Sequence, residues 1–377
     1  MRHDTATNGP TSESRSISAL IRRGFAPHED NGSSFTILSP ENSGFEERSN
    51  NRLALLLPTY VARSAWDVQE QVIRDFLGQA RALHEAEPFL SIVPIIAMQW
   101  MDDEELEAEN RLGKATAIAK QDFELDIVCF SLQSRRKLAS LNRAISLATA
   151  YNPTAMFWMD DDVRLSPDAL VKLWQDFDRG GRRGAVGAVK IGIPQENWSS
   201  RVVASVKKST TTAVSYPHGC AILVEFETVG NGFPAWAHCD DGYVCFELLD
   251  PDGAEPLGKL RLCKDATCWF PTGAGGLADN IKRIRRMQMN QALLMAIYPR
   301  PKSQFYFREI MFWGLMPRYP GARATHPSLS ILSLILKTFH LTVFCNVVFE
   351  LIIRGILRQP ISEVRWGGTR QMSSVAK

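Results

Sequence analysis

The chain has 377 residues, of which 43 are lysine or arginine, 41 are aspartate or glutamate, and 45% are apolar. This composition is ordinary for a globular protein and excludes collagen-like, coiled-coil and wholly disordered chains. The net charge of +2 argues against a dedicated nucleic-acid-binding protein, so no nucleic acid is expected as a partner.

The positive charge is concentrated at the C-terminal end. Residues 281–377 contain fifteen basic and three acidic side chains, a net charge of +12, so the first 280 residues carry −10. A basic C-terminal quarter indicates an acidic partner, such as a phosphate group or an anionic lipid surface.

Cysteine usage and the first residues indicate the cell compartment. The seven cysteines form no CxxC pair, and residues 1–30 contain no continuous apolar stretch. This combination predicts reduced thiols in a cytoplasmic protein without a zinc site.

The first 50 residues are rich in Ser, Asn, Gly, Glu and Pro and are predicted to form a mostly disordered leader. Order is expected to begin at the apolar run 53–57, which fits a buried parallel strand ended by Pro58. Helical periodicity over residues 65–86 and a second apolar run at 90–98 follow.

The alternation of strands and helices then continues along the chain. Further strands are predicted at 125–130, 155–159, 185–191, 220–226 and 260–269, and further helices at 138–148 and from Ser166. Ser166 is expected to be the N-cap of its helix, with Pro167 at the first helical position. Alternation at about 30 residues per unit predicts an α/β fold, a doubly wound sheet flanked by helices.

The segment 329–357 is apolar but interrupted by the basic and acidic side chains Lys337, His340, Glu350 and Arg354. A membrane-spanning helix needs about 20 mostly apolar residues, and neither window free of Lys, Arg, Asp and Glu in this segment is that long. The sequence predicts a pair of amphipathic helices in the plane of a membrane surface. A membrane span and a helical hairpin packed on the protein's own core are the alternatives.

The most specific chemical signal is the triplet Asp160-Asp161-Asp162, directly after the strand 155–159. Ligands of an open α/β sheet bind beyond the carboxyl ends of its strands, and adjacent carboxylates repel one another unless a cation neutralises them. Side chains alternate in an extended segment, so Asp160 and Asp162 share a side. Two oxygen ligands suit Mg²⁺ or Mn²⁺, which keep other positions for water and diphosphate. The alternative is a solvated turn with helix-capping acids.

Several motifs in chain order carry a resemblance to a known family. The segment Phe157–Leu170 resembles the DxD segment of the family 2 glycosyltransferases with the GT-A fold, in which an apolar strand runs into Asp-x-Asp. The segment Arg136–Ala144 is similar to the family's Gly-Lys-x-x-Ala-Leu-Asn-x-Ala element, with Arg136 in place of the glycine. The segment Leu55–Tyr60 is similar to the first strand and its proline-bearing loop, and the resemblance covers about residues 52–290.

The resemblance implies an inverting, metal-dependent glycosyltransferase that moves a sugar from a nucleoside-diphosphate sugar to a hydroxyl of a glycan or lipid-linked acceptor. It implies Mg²⁺ or Mn²⁺ bound by Asp160 and Asp162. Asp102 or Asp103 falls where the family keeps a base-contacting aspartate. The donor-binding residues that it implies are Pro58, Thr59, Asp102, Asp103, Lys137, Asn142, Asp160 and Arg286.

The resemblance also implies a catalytic base within Trp236–Gly242. The family places an acidic pair beyond the strand that corresponds to 220–226, and its second carboxylate is the base, which makes Asp241 the base and Asp240 its neighbour. The alternatives are an Asp-Asp-Gly turn that caps a helix, and His238 as a rival base or a core histidine.

The segment Arg283–Met287 stands where processive family members carry Gln-x-x-Arg-Trp. Arg283 replaces the glutamine and Met287 the tryptophan, which argues against a polymer synthase. Arg286 is retained and is expected to reach the diphosphate, for which a guanidinium is suited, and a polar helix face is the alternative.

The predicted organisation is a leader at 1–50, a glycosyltransferase domain at 51–300, and a basic, apolar helical tail at 301–377, for which membrane association is an expectation. The domain divides into a nucleotide half, 51–165, and an acceptor half, 166–300. The predicted location is cytoplasmic, at the inner face of the cell membrane. A sugar-nucleotidyltransferase and a catalytically silent membrane-surface scaffold on the same fold are the alternative functions.

Overall fold

A computed structural model of the chain describes residues 18, 21, 35–38, 51–194, 216–272, 276–313, 315–316 and 331–357. Most of the predicted leader, and the part of the predicted tail beyond residue 357, lie outside these residues. Within the leader, Phe35–Leu38 form a strand that the sequence analysis did not predict.

The strands of the described residues form one mixed sheet. They are β1 Phe35–Leu38, β2 Arg52–Tyr60, β3 Ser91–Trp100, β4 Val128–Gln133, β5 Ala155–Met159, β6 Arg164–Leu165, β7 Ala185–Pro194, β8 Ala221–Glu225 and β9 Leu260–Thr272. Their order across the sheet is β1-β4-β3-β2-β5-β8-β7-β9-β6. Strands β4, β3, β2 and β5 are parallel, whereas β8 is antiparallel to both β5 and β7.

Helices cover both faces of the sheet. They are α1 Trp66–Ala86, α2 Glu105–Asp122, α3 Lys137–Thr149, α4 Ala169–Arg179, α5 Phe226–Val229, α6 Asp240–Leu248, α7 Gly276–Ile297, α8 Arg300–Phe305 and α9 Ile331–Ile356, with a 3₁₀ turn at Val61–Arg63 and a π-helical turn at Tyr306–Met311. Helices α1, α2 and α4 pack on one face, and α3, α6 and part of α7 pack on the other. The predicted α/β fold, a mixed sheet flanked by helices, is confirmed.

Strand β2 explains why the sequence shows an uninterrupted apolar run at this point. Leu53, Leu55 and Leu57 belong to the core on one face, and Leu56 belongs to the core on the other, so both faces of the strand are covered. The prediction that Pro58 ends this strand is wrong, because β2 continues to Tyr60. The pairing with β5 stops at Leu56, so beyond it β2 has only β3 as a neighbour, and an unpaired strand side tolerates a proline.

The carboxyl end of β2 lies where the strand order of the sheet reverses. Its parallel neighbours are β3 on one side and β5 on the other, which makes the junction of β2 and β5 the topological switch point of the sheet. Ligands of open α/β sheets bind at such points. The segment that follows β5, beginning with Asp160, starts beside this point.

The start of α4 corrects another prediction. The helix begins at Ala169, and its N-cap residue is Asp168, not Ser166. The Ser166 hydroxyl instead accepts a hydrogen bond from the Thr267 amide at 3.0 Å, which joins the segment after β6 to strand β9. Ser166, which local sequence predicted to cap a helix, therefore bonds to a segment about a hundred residues away instead.

The predicted pair of C-terminal helices is one continuous helix, α9. Its Val347 and Leu351 pack in a cluster with Met289 and Leu293 of α7. The charged Lys337 lies within this helix, and its ammonium group donates to the Met311 carbonyl at 2.6 Å. Residues 333–356 are long and apolar enough to cross a membrane by length and composition alone, with a mean hydropathy of 1.6 and 22% burial.

Candidate active site

A cavity of about 580 Å³ lies beside the carboxyl end of β5. Its size is typical of sites for small molecules. The starts of α3 and α6, strand β7, the loop before β8, and the helices α7 and α9 also contribute to its lining. It brings together six of the predicted site residues, which are Lys137, Asp160, Asp162, Asp240, Asp241 and Arg286.

Lys137 connects two of the carboxylates. Its Nζ lies 2.6 Å from Asp160 Oδ1 and 2.8 Å from Asp240 Oδ2, and donates to the Gly219 carbonyl at 2.9 Å. The Trp158 indole donates to the same Asp240 oxygen at 2.7 Å. Burial alone would lower the pKa of Lys137, but the two carboxylates outweigh it and raise the pKa, so the lysine stays charged.

Asp160 and Asp162 both line the cavity, whereas Asp161 does not. Burial raises the pKa of Asp160; Lys137 lowers it, and the charges of Asp162 and Asp240 raise it further. Carboxylates that destabilise one another in this way favour a cation beside them.

The carboxylate pair fits a metal ion that shares its coordination with a substrate. Within the described ranges, no group of three or more His, Cys, Asp or Glu side chains is arranged to hold a metal ion. Mg²⁺ needs only one or two protein carboxylates where substrate phosphates supply further oxygens. Asp160 and Asp162 therefore suit Mg²⁺ or Mn²⁺ bound together with a diphosphate, and they do not suit a metal centre made by the protein alone.

Asp241 lies in the first turn of α6 and is held by several donors. Its carboxylate accepts from the Gly242 amide at 2.8 Å and the Cys239 thiol at 3.2 Å, and lies 3.3 Å from His218 Nδ1. Burial would raise the pKa of Asp241, but His218 above all, then Cys239 and Lys190, lower it below its ordinary value. The carboxylate is therefore ionised at neutral pH and fixed in orientation.

The cavity lining is basic overall. Four aspartates are matched against seven Lys and Arg side chains, Arg135, Arg136, Lys137, Lys190, Arg283, Arg286 and Lys337. Sequence analysis missed Lys190 and His218. Lys190 is the one charged side chain in the apolar strand β7, a signal that could have found it, whereas His218 has no local signal because its partner Asp241 lies beyond β8.

Five predicted donor-binding residues do not line the cavity, and three of them are Pro58, Thr59 and Asn142. Thr59 is buried and accepts a hydrogen bond from Gln69. Both groups of the Asn142 amide are used by the Phe233 backbone, at 2.9 Å to its carbonyl and 2.6 Å from its amide nitrogen. Asn142 therefore holds the loop that contains Phe233. Its contact with the nucleotide stays a prediction.

Asp102 and Asp103 follow strand β3 and do not line the cavity. Asp102 lies 3.7 Å from Arg135, which does line it. Asp102 lies beyond the carboxyl end of β3, and Arg135 lies beyond that of β4. Asp102 is therefore connected to the edge of the cavity through Arg135.

Comparison with known proteins tests the predicted resemblance. Residues 112–226 match the family described as Glycosyl transferase family 2. The matched region contains the segments Arg136–Ala144 and Phe157–Leu170, which carry the resemblance. The predicted resemblance is confirmed, and with it the reaction class of the enzyme. The match includes Lys137, Asp160, Asp162 and His218 of this glycosyltransferase and ends before Asp241.

Other comparisons concern whole chains. No curated protein matches the chain. Among solved structures it is similar to S. aureus TarS 1–349 in complex with UDP-GlcNAc, with 11% identity, a TM-score of 0.37, and coverage of 81% of this chain and 88% of that one. It is also similar to S. aureus TarS with 11% identity, a TM-score of 0.36, and coverage of 81% and 53%. Likeness at this level carries no argument about substrates.

Proposed function

We propose that the glycosyltransferase transfers a sugar from a nucleoside-diphosphate sugar to an acceptor hydroxyl with inversion at the anomeric carbon. The observation that carries this proposal is that one cavity holds the carboxylate pair Asp160 and Asp162 together with the fixed carboxylate Asp241. The first two suit a donor diphosphate with its cation, and the third suits the acceptor.

The basic lining supports an anionic donor. A diphosphate brings at least two negative charges, and the cavity offers more cationic than anionic side chains to receive them. Arg286, predicted to contact the diphosphate, belongs to this lining, as does the half-buried Lys190. Guanidinium groups bind phosphate oxygens in pairs, which fixes the orientation of the leaving group.

Mg²⁺ or Mn²⁺ held by Asp160 and Asp162 would neutralise the charge that develops on the departing diphosphate. Lys137 acts as a positioning residue beside this pair, because it holds Asp160 and Asp240 in place through short ion pairs. Asp240 is the first residue of α6, so its bonds to Lys137 and Trp158 hold the start of the helix, and with it Asp241, beside the sheet.

Asp241 acts as the general base. The acceptor oxygen attacks the anomeric carbon opposite the diphosphate, the bond from that carbon to the diphosphate oxygen breaks, and the acceptor proton passes to the Asp241 carboxylate. Because the pKa of Asp241 is lowered, we expect this transfer to occur late, when the forming bond has already made the acceptor proton acidic. His218 keeps the carboxylate turned toward the cavity.

The direct test is release of nucleoside diphosphate from a panel of nucleoside-diphosphate sugars, with Mn²⁺, with Mg²⁺ and with EDTA. We expect metal-dependent release that Asp162→Asn and Asp241→Asn each reduce by roughly a hundredfold or more. Circular dichroism and thermal unfolding of both variants check the fold. Equal turnover in Asp162→Asn, or pyrophosphate release from a nucleoside triphosphate and a sugar phosphate instead, would contradict the proposal. The anomeric configuration of the product, read by NMR, tests inversion.

A second part of the proposal concerns the place of action. Helix α9 leaves large apolar side chains exposed along its length, among them Ile331 at 79%, Ile335 at 60% and Phe349 at 64%. The C-terminal segment 281–377 is strongly basic. An apolar face beside basic residues suits the surface of an anionic membrane, so we place the enzyme at the cytoplasmic face of the cell membrane with a lipid-linked or glycan acceptor within reach.

Vesicle co-sedimentation of the full chain tests this placement. We expect binding to phosphatidylserine-containing vesicles and weaker binding to phosphatidylcholine alone. The double variant Ile335→Glu/Phe349→Glu should lose this binding, while the matched control Phe89→Glu/Leu106→Glu, at side chains that are 87% and 77% exposed on the sheet domain, should keep it. Equal loss in both double variants would contradict docking through α9.

A further inference from the structure

Lys190 is the one charged side chain of strand β7, and it lines the cavity. It is half-buried rather than buried, so a molecule in the cavity can reach its ammonium group. Burial alone would lower the pKa of Lys190, but Cys220 and Asp241 above all raise it, so the lysine is charged at neutral pH. A cation that a ligand can contact is therefore part of the cavity wall.

The two other lysines of the lining are already bound by the protein. Lys137 contacts two carboxylates and a backbone carbonyl, and Lys337 donates to the Met311 carbonyl. Lys190 differs from both, because within the part of the chain that the structure describes its Nζ atom forms no hydrogen bond and no ion pair. An ammonium group has three N–H donors, so Lys190 can offer all three to a ligand.

An aromatic ring holds the ammonium group in place without using these donors. The Nζ atom of Lys190 lies 4.3 Å from the centroid of the Phe270 ring, which also lines the cavity. Phe270 is two residues beyond Cys268, the register partner of Lys190, so both side chains stand on the same face of the sheet. Cations are attracted to the face of an aromatic ring. Lys190 is thus positioned before a ligand arrives, which lowers the entropic cost of binding.

Strand pairing places Lys190 beside the segment that begins with Asp160. Strands β7 and β8 are antiparallel, with Gly187 opposite Ile222. Lys190 is three residues beyond Gly187, and Cys220 is two residues before Ile222, so both lie at the same end of the sheet. The Cys220 carbonyl accepts a hydrogen bond from the Asp160 amide at 3.1 Å. Lys190 is therefore close to the predicted metal ligands.

Lys190 is also within electrostatic range of the proposed base. The charges of Asp241 and Asp160 both act on the pKa of Lys190, and its own charge helps to lower the pKa of Asp241. The proposed function puts the donor diphosphate at Asp160 and the acceptor at Asp241, so the bond that breaks lies between them. A fixed cation at this place stabilises the atom that gains negative charge, which is the departing phosphate oxygen.

We propose that Lys190 is a catalytic residue that donates hydrogen bonds to the distal phosphate of the donor, the phosphate that carries the sugar. As the acceptor oxygen bonds to the anomeric carbon, the electron pair of the breaking bond passes to the oxygen of this phosphate. The Lys190 ammonium group stabilises the new charge and keeps its proton. The role rests on the proposed function, and it adds a cation of the protein itself to the divalent ion at Asp160 and Asp162.

Isothermal titration calorimetry of the full chain with Mg²⁺ measures this contact without turnover. The ligands are UDP, UMP, GDP, GMP and inorganic pyrophosphate. In Lys190→Met, which removes the charge at similar length, we expect the Kd of the nucleoside diphosphate to rise by roughly tenfold or more, because hydrogen bonds to charged groups are the strong ones. The matching monophosphate lacks the distal phosphate, so its Kd should stay within about twofold. Lys190→Arg keeps the charge and should recover part of the affinity.

Controls separate this role from a structural one. Lys190→Gln is a second uncharged variant, and thermal unfolding of each variant checks the fold. Lys264→Met replaces an exposed lysine of the neighbouring strand β9 and should bind every ligand as the wild type does. In donor hydrolysis, kcat of Lys190→Met should fall by roughly tenfold or more in addition to the loss of affinity, since the charge on the leaving oxygen is greatest in the transition state.

Three results would overturn the inference. One is a diphosphate Kd that is equal in both uncharged variants and in the wild type. Another is an equal loss for monophosphate and diphosphate, which would place Lys190 at the nucleoside or the first phosphate. The third is a loss confined to UDP-glucuronic acid, with UDP unchanged, which would place Lys190 at a carboxylate of the sugar. Failure of the proposed function looks different, since no sugar donor would then be hydrolysed while diphosphate binding still depended on Lys190.

Discussion

Replacing Lys137 by methionine tests how much the ion pairs of Lys137 with Asp160 and Asp240 stabilise the folded chain. Methionine keeps the length of the side chain but removes the charge that lies 2.6 Å from Asp160 and 2.8 Å from Asp240. The three side chains are only 12–21% exposed, so water replaces little of the lost interaction. Removing one partner of a buried ion pair costs about 3–5 kcal/mol. We expect a loss of that size in the free energy of unfolding, or roughly 6–10 °C in melting temperature.

The loss should depend on pH in a specified direction. Burial already raises the pKa of Asp160, and without Lys137 its pKa rises further. A carboxyl whose pKa is higher in the folded than in the unfolded chain binds more protons when folded, so its contribution to stability falls as pH rises through that pKa. The deficit of Lys137→Met is therefore expected to be larger at about pH 8 than at about pH 5.

Urea unfolding in metal-free buffer at these two pH values measures the deficit. The exposed Lys120→Met on α2 is the matched control and should stay within about 0.5 kcal/mol of wild type. A Lys137→Met variant as stable as Lys120→Met at about pH 8, or a deficit that grows as pH falls, would refute the reasoning.

Three further predictions concern single positions. In Gly219→Ala the new Cβ would overlap the Asp240 carboxylate, so turnover should fall by roughly a hundredfold. The control Gly113→Ala, which has open space around its Cβ, should keep the turnover of the wild type. Equal turnover in the two variants would contradict the geometry. His218→Phe removes the main cause of the lowered pKa of Asp241, so the acid limb of the pH–rate profile should move to higher pH, and an unmoved limb excludes this coupling. Burial lowers the pKa of Lys337 to about 8, so between about pH 8 and 10 the unfolded chain binds more protons at this residue than the folded chain. Over that range the free energy of unfolding of the wild type, measured in urea, should rise by up to about 1.4 kcal/mol per pH unit relative to that of Lys337→Met. Equal pH dependence of the two free energies would contradict this.

Local sequence was enough to predict the central parallel strands of the sheet. The apolar runs of β2, β3 and β5 and the periodic helices between them follow from burial on both faces of a parallel sheet. The position of Asp160 and Asp162 at a strand end followed for the same reason. These features depend on residues within one strand–helix unit of about 30 residues, and the periodicity of apolar residues shows structure over that distance.

Contacts between distant segments could not be predicted in this way. The ion pair between Lys137 and Asp240 joins residues 103 apart, and the loop that occupies Asn142 is 91 residues away. His218 enters the site only because β8 brings the preceding loop beside α6. The single helix α9 was missed because Lys337 divides its apolar sequence, and the acceptor of this lysine, the Met311 carbonyl, lies outside the helix.

The central claim is that Asp160 and Asp162 hold a divalent cation together with a nucleoside diphosphate. Titration of Mn²⁺ followed by electron paramagnetic resonance, with and without UDP or GDP, tests it most directly. The account predicts weak Mn²⁺ binding alone, binding at least roughly tenfold tighter with one of the nucleotides, and loss of that gain in Asp162→Asn. A gain that is unchanged in Asp162→Asn, or no gain with either nucleotide, would contradict it.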